Sequence, residues 1–191
     1  MDVLSAYLDQ TADAFIALRA DTALAGVMHA MAGQIEASFR AGGKLLICGN
    51  GGSAGDAQHI AGEIVGRFLY DRPPLPAIAL TTDGSVLTAI ANDYGYDQVF
   101  ERQVLGLGKP GDVLLAISTS GNSPGILRAL DAAQARSMLR LGFSGAGGGA
   151  MAAKCDHILR APSPLTPIVQ QIHNTAAHAV CALVERAMFP Q

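Results

Sequence analysis

The chain has 191 residues, half of them apolar and 15% charged, with 13 Lys and Arg against 16 Asp and Glu for a net charge of −3. That balance excludes a largely disordered chain, and the lack of a basic run argues against nucleic-acid binding as its task. The sparse charge also points to surface covered by other copies of the chain. Cys48, Cys155 and Cys181 are widely spaced, carry no C-x-x-C pattern and read as reduced thiols of a cytoplasmic protein. The N-terminus has neither the basic nor the apolar stretch of a signal peptide, and no membrane span is expected.

Residues 1 to about 41 carry helical periodicity in two runs. The first places Leu4, Leu8, Ala12, Phe15 and Ile16 on one face, and the second follows Asp21 with Leu24, Val27, Met28, Met31 and Ile35. Asp21 suits an N-cap, and Gly42-Gly43 a stop. From Lys44 onwards strand and helix patterns alternate. Apolar runs predict strands at 44–48, 76–81, 112–118, 138–143 and 157–161. Helices are predicted at 53–68, at 85–105 with a break near Asn92–Gly95, at 123–136, at a short stretch near 148–154 and at 166–188.

Continuous apolar strands alternating with helices predict an α/β fold: a doubly wound, five-stranded parallel sheet with an N-terminal helical extension. No linker or internal repeat interrupts residues 1–191, so a single domain is expected, with the first helices packing on it and on partner chains. Arg140, inside the fourth strand run, marks that strand as weak or as an edge.

The segment Gly49-Asn50-Gly51-Gly52-Ser53 leaves the first strand, turns through glycines and meets a serine able to cap a helix. Glycine lets the backbone approach an anion, and a helix N-terminus offers free N–H groups to it. His59 and Glu63 follow four residues apart, on one helix face. His59 lies six residues past Ser53, roughly 9 Å along the axis, a reach that suits a sugar phosphate anchored at the turn. A second turn, Ser118-Thr119-Ser120-Gly121-Asn122-Ser123, leaves the third strand and enters a helix at Pro124. Its hydroxyls and backbone N–H groups suit a phosphate dianion without Lys or Arg. Asn92-Asp93 is either an ordinary cap or a polar contact for a polyol. On the last helix Gln170 and His178 are eight residues apart, roughly 12 Å along the axis. To share one metal they would have to stretch towards each other or come from different chains. His173 is five residues from His178 and diverges from it.

Taken together, G-N-G-G-S, H-x-x-x-E, N-D, S-T-S-G-N-S and Q-x7-H resemble the phosphoheptose isomerase family of the sugar isomerase (SIS) superfamily along nearly the whole chain. The resemblance implies the flavodoxin-like SIS fold and a homotetramer with active sites between subunits. It implies interconversion of sedoheptulose 7-phosphate and glycero-manno-heptose 7-phosphate, the first step towards the heptose of lipopolysaccharide core or a capsule. By matching motifs, His59, Glu63, Gln170 and His178 would hold a metal, usually zinc, with Glu63 and His178 catalytic. Asn50, Gly51, Gly52, Ser53, Glu63, Asn92, Asp93, Ser118, Thr119, Ser120, Ser123 and Gln170 would contact substrate, with Arg67 a further candidate. A non-enzymatic relative that associates with a replication initiator shares the fold and the terminal Phe189-Pro190, but departs at the positions matching Glu63 and His178. Retention of both residues here favours the enzyme. The glycine-rich run Gly145–Gly149 departs from the family pattern.

Overall fold

The computed structural model describes residues 2–191. Two helices open the chain, α1 (Val3–Ala20) and α2 (Thr22–Arg40). Asp21 caps α2 as expected, its Oδ1 accepting from the amides of Ala23 and Leu24 at 2.9 and 3.0 Å. Gly42 then takes the left-handed φ of +81° that ends the helix. Strand and helix alternate after that: β1 (Leu45–Gly49), α3 (Gly52–Val65), β2 (Ala77–Ala79), α4 (Gly84–Tyr94), α5 (Val99–Leu107), β3 (Val113–Ser118), α6 (Pro124–Ala135), β4 (Leu139–Gly145), β5 (His157–Ala161) and α7 (Thr166–Met188). Short 3-10 turns at Tyr96–Gln98 and Gly149–Ala153 stand before α5 and β5.

All five strands are parallel, in the order β2-β1-β3-β4-β5. Side chains alternate across the sheet because successive strand residues point to opposite faces. Leu45, Ile47, Val113, Leu115, Ile117, Leu141, Phe143 and Leu159 face a layer made by α1, α2, α3 and α7. Leu46, Cys48, Leu114 and Ala116 face the other layer, where Val99, Phe100 and Val104 of α5 and Ile126, Ala129 and Leu130 of α6 are buried. The strand order reverses between β1 and β3, and ligands of such folds bind at that reversal, beyond the strand C-termini. The glycine turn after β1 and the hydroxyl turn after β3 both stand there.

Arg140 does not mark an edge. β4 lies between β3 and β5, and the arginine sits near its start. There Asp156 accepts from the Arg140 amide at 2.8 Å and pairs with its guanidinium at 2.7 Å, so the charge is met without leaving the sheet. The break expected near Asn92–Gly95 falls at Gly95, whose φ is +95°, and Asn92 and Asp93 form the last turn of α4 just before it. Helix α3 stops at Val65, three residues short of the expected end, because Arg72 takes its last carbonyls. Among the described residues no helix is long and apolar enough to cross a membrane.

Candidate active site

The glycine turn begins at Gly51, whose φ of +57° and ψ of −123° suit only glycine and which is the residue that caps α3. Ser53 is therefore not the cap. It is the second residue of the helix and is buried. Asn50 reaches across to the hydroxyl turn, its Nδ2 donating to Ser123 Oγ at 3.0 Å. Gly52 lies beneath Gln170 of α7: a Cβ there would come within 2.5 Å of the Gln170 amide nitrogen. The first turn and the last helix are thus in contact.

About two and three turns along α3, His59 and Glu63 meet His178 of α7. Their ligand atoms all lie within 4.8 Å of one another. His59 Nε2 and His178 Nε2 are 2.7 Å apart, so one donates and the other accepts. Glu63 Oε1 is 3.7 Å from His59 Nδ1. That carboxylate favours the proton on Nδ1 and leaves His59 Nε2 as the acceptor. His178 joins His59 and Glu63 of its own chain, so these three need no second subunit to meet. Two imidazole nitrogens and a carboxylate oxygen form a donor set that suits zinc, with a further position left for another ligand. Cys181, one turn beyond His178, adds no thiolate to that set. Burial, with the nearby Glu63 carboxylate adding to it, pushes its thiol up to about 12. Gln170 sits two turns before His178, against Gly52. Beside it Asp56, Gln171, Asn174 and Phe15 line a polar cavity of about 520 Å³. Burial raises the Asp56 carboxyl above the usual range against the opposing pull of His59, and its Oδ2 has no hydrogen-bond partner.

The hydroxyl turn is built locally. Ser118 Oγ and Ser120 Oγ are 3.4 Å apart, and Ser120 Oγ accepts from the Asn122 amide at 3.1 Å. Ser123 precedes α6, whose first residue is Pro124, but makes no capping bond of its own. The Gly145–Gly149 run has a structural purpose. Gly145 donates to the Thr119 carbonyl at 2.9 Å, and Asn122 Oδ1 accepts from Ala150 at 2.9 Å. Gly121, at φ +66°, lies so close to Gly148 and Gly149 that no Cβ fits between them.

Other expected residues fall outside this arrangement. Asn92 Nδ2 bonds its neighbour Asp93 at 2.8 Å, and no contact joins either to the His/Glu group. Arg67 is exposed in the segment after α3, past the helix end, instead of one helical turn beyond Glu63. His173 is buried and separate, as its spacing implied. Its Nε2 donates to the Ser144 carbonyl at 3.0 Å and its Nδ1 has no partner, so the ring is neutral. Burial lowers it to about 4, against the raising effect of that carbonyl.

Three contributors escaped sequence reasoning. The Phe68 ring lies 5.2 Å from that of His178. The Glu185 carboxylate accepts from the amides of Phe68 and Leu69 at 2.8 and 2.7 Å and from Arg72 Nε at 3.0 Å. Burial opposes its ionisation, but these amides and the guanidinium outweigh that and hold Glu185 below the usual carboxylate range. Arg72 in turn accepts no bond and donates to the carbonyls of Glu63 and Ile64 at 2.8 and 2.7 Å, tying the end of α3 to α7. A glutamate seven residues past His178, directly after the apolar run Ala179–Val184, was the available signal.

The SIS domain family matches residues 6–145. A phosphoheptose isomerase of Bradyrhizobium sp. strain BTAi1 is 54% identical over 187 residues, covering 98% of this chain and 94% of the relative. The solved phosphoheptose isomerase GmhA of Neisseria gonorrhoeae is 40% identical with a TM-score of 0.89, covering 95% of this chain and 96% of that one. That of Francisella tularensis is 36% identical with a TM-score of 0.92, covering 96% of each chain. The fold agrees with these likenesses, and the chain belongs to the SIS domain family and, within it, to the phosphoheptose isomerases.

Proposed function

We propose that this chain is an aldose–ketose isomerase that interconverts sedoheptulose 7-phosphate and D-glycero-D-manno-heptose 7-phosphate through an enediol. The observation that carries the reading is the meeting of His59, Glu63 and His178 within 4.8 Å, with Gln170 of the same helix as His178 packed against the glycine turn at Gly52. Isomerisation moves a proton between adjacent carbons and another between their oxygens. Glu63 takes a proton from C1 of the ketose, exchanges it with water while the enediol is bound, and delivers a proton to C2 of the aldose. His178 moves the proton between the two oxygens. Ser118, Thr119, Ser120 and Ser123 hold the phosphate with the backbone of Gly51 and Gly52, which fixes the far end of the sugar and lowers the entropic cost of reaction. Gln170 and Ser53 support the sugar side, and Asn92, Asp93 and Arg67 would reach substrate only once the site is filled.

His59, Glu63 and His178 would hold zinc, with Gln170 as a fourth ligand. The ion would polarise the substrate oxygens and so stabilise negative charge as it develops. We further infer that residues 1–191 act as one domain in a cytoplasmic homotetramer with sites near subunit contacts. Exposed Val3, Leu4, Leu8 and Ile16 on α1 support that assembly. Its product would feed the heptose of a lipopolysaccharide core. The test is incubation of purified protein with sedoheptulose 7-phosphate, with and without a chelator. Aldose product that is lost on chelation and regained with zinc is expected; no product under either condition overturns the reading.

A further inference from the structure

Tyr96 opens the 3-10 turn after Gly95 and is 62% exposed, yet its hydroxyl donates to Asn50 Oδ1 at 3.0 Å. Asn50 Nδ2 then donates to Ser123 Oγ at 3.0 Å. The turn that carries Tyr96 is fastened to α6, the helix that Ser123 precedes, by Asp97 pairing with Arg128 at 2.7 Å. The Asp97 backbone also packs against Gly125. Three segments separated in sequence are therefore joined by one directed chain of hydrogen bonds.

The direction has a chemical consequence. A phenol is a better donor and a poorer acceptor than an aliphatic hydroxyl, because its lone pair is shared with the ring. It therefore favours the amide orientation that presents Oδ1 to Tyr96 and Nδ2 to Ser123. Ser123 Oγ is then an acceptor towards Asn50 and makes no capping bond, so its own proton is left to donate outward. With the amide reversed, Oδ1 would capture that proton instead, and the turn would lose a donor.

We propose that Tyr96 is a positioning residue that acts through Asn50 to hold Ser123 as a donor to the substrate phosphate. The proposal rests on the reading of Ser118–Ser123 as the phosphate turn. Tyr96→Phe removes one oxygen and keeps the ring. A neutral hydrogen bond of this kind is worth about a fivefold change in affinity. Calorimetric titration with inorganic phosphate should show a roughly fivefold weaker Kd in Tyr96→Phe. KM for the sugar phosphate should rise by the same factor, with kcat and melting temperature unchanged. In a Ser123→Ala background, Tyr96→Phe should cost nothing further, since the coupling runs through the missing hydroxyl. An unchanged phosphate Kd in Tyr96→Phe, or an equal loss with and without Ser123, overturns the proposal. Phosphate binding needs no turnover, so the isomerase reading can fail while the coupled losses persist, and the reverse result leaves that reading intact.

Discussion

The hydroxyl turn stands at the end of β3 and the His/Glu group between α3 and α7, and they are built in opposite ways. The turn is a continuous run, Ser118–Ser123, held by backbone bonds from the Gly145–Gly149 loop packed on it. The group joins His59 to His178, 119 residues apart, and depends on α3 and α7 keeping their mutual position. A cluster of hydroxyls can thus come from local chain geometry, while a group drawn from distant residues needs a scaffold of its own. Arg72 and Glu185 provide it, 2% and 1% exposed, bonding the end of α3 and the Phe68–Leu69 backbone to α7.

Substitutions that separate chemistry from scaffold sharpen this contrast most. Glu63→Gln and His178→Ala should each lower kcat on the order of 10²- to 10⁴-fold, about 3–5 kcal/mol of barrier. Melting temperature and phosphate affinity should stay close to those of the parent, as thermal scans and calorimetry will show. Glu185→Ala should do the reverse first. It strands the buried Arg72 charge and should cost about 3–5 kcal/mol in urea unfolding, with loss of turnover following the loss of fold. A stable but inactive Glu185→Ala protein would mean that the clamp acts on the chemistry itself.

His173 lies under both regions, on α7 and against Ser144, which pairs in register with Ser118. The ring is neutral when folded, its protonation pushed down to about 4, whereas the unfolded chain takes up the proton near the ordinary value of 6.5. The unfolded state therefore binds more protons between those values. Stability from this group is complete above pH 6.5 and drains as pH falls towards 4, by up to about 3 kcal/mol. Denaturation curves of wild type and His173→Gln at pH 7, 5.5 and 4.5 should diverge by that slope. Gly121→Ala gives the smallest loss, about 1–3 kcal/mol, because a side chain at φ +66° is strained and meets Gly148. It should weaken phosphate binding and leave the 2.7 Å His59–His178 pair alone.

What could be read from residues follows the same division. Strand and helix alternation, the cap at Asp21, the entry to α6 at Pro124 and both turns are local, and they stand where the sequence pattern placed them. The His59–Glu63 step was legible as one helix face, whereas its union with His178 came only from the family resemblance, since spacing cannot show the crossing of α3 and α7 that brings them together. The end of α3 was misread because the residue that stops it, Arg72, acts from outside the helix. Arg140 looked unfavourable in a strand because its partner, Asp156, lies 16 residues on. Gly145–Gly149 carries no chemistry of its own, and its purpose shows only where it wraps the hydroxyl turn.

The most direct test follows hydrogen itself. Sedoheptulose 7-phosphate incubated with the protein in heavy water should yield aldose carrying deuterium at C2, and Glu63→Gln should yield neither product nor label while still binding inorganic phosphate. Labelled aldose at the parent rate from Glu63→Gln would contradict the account, because some other group would then be moving the carbon-bound proton.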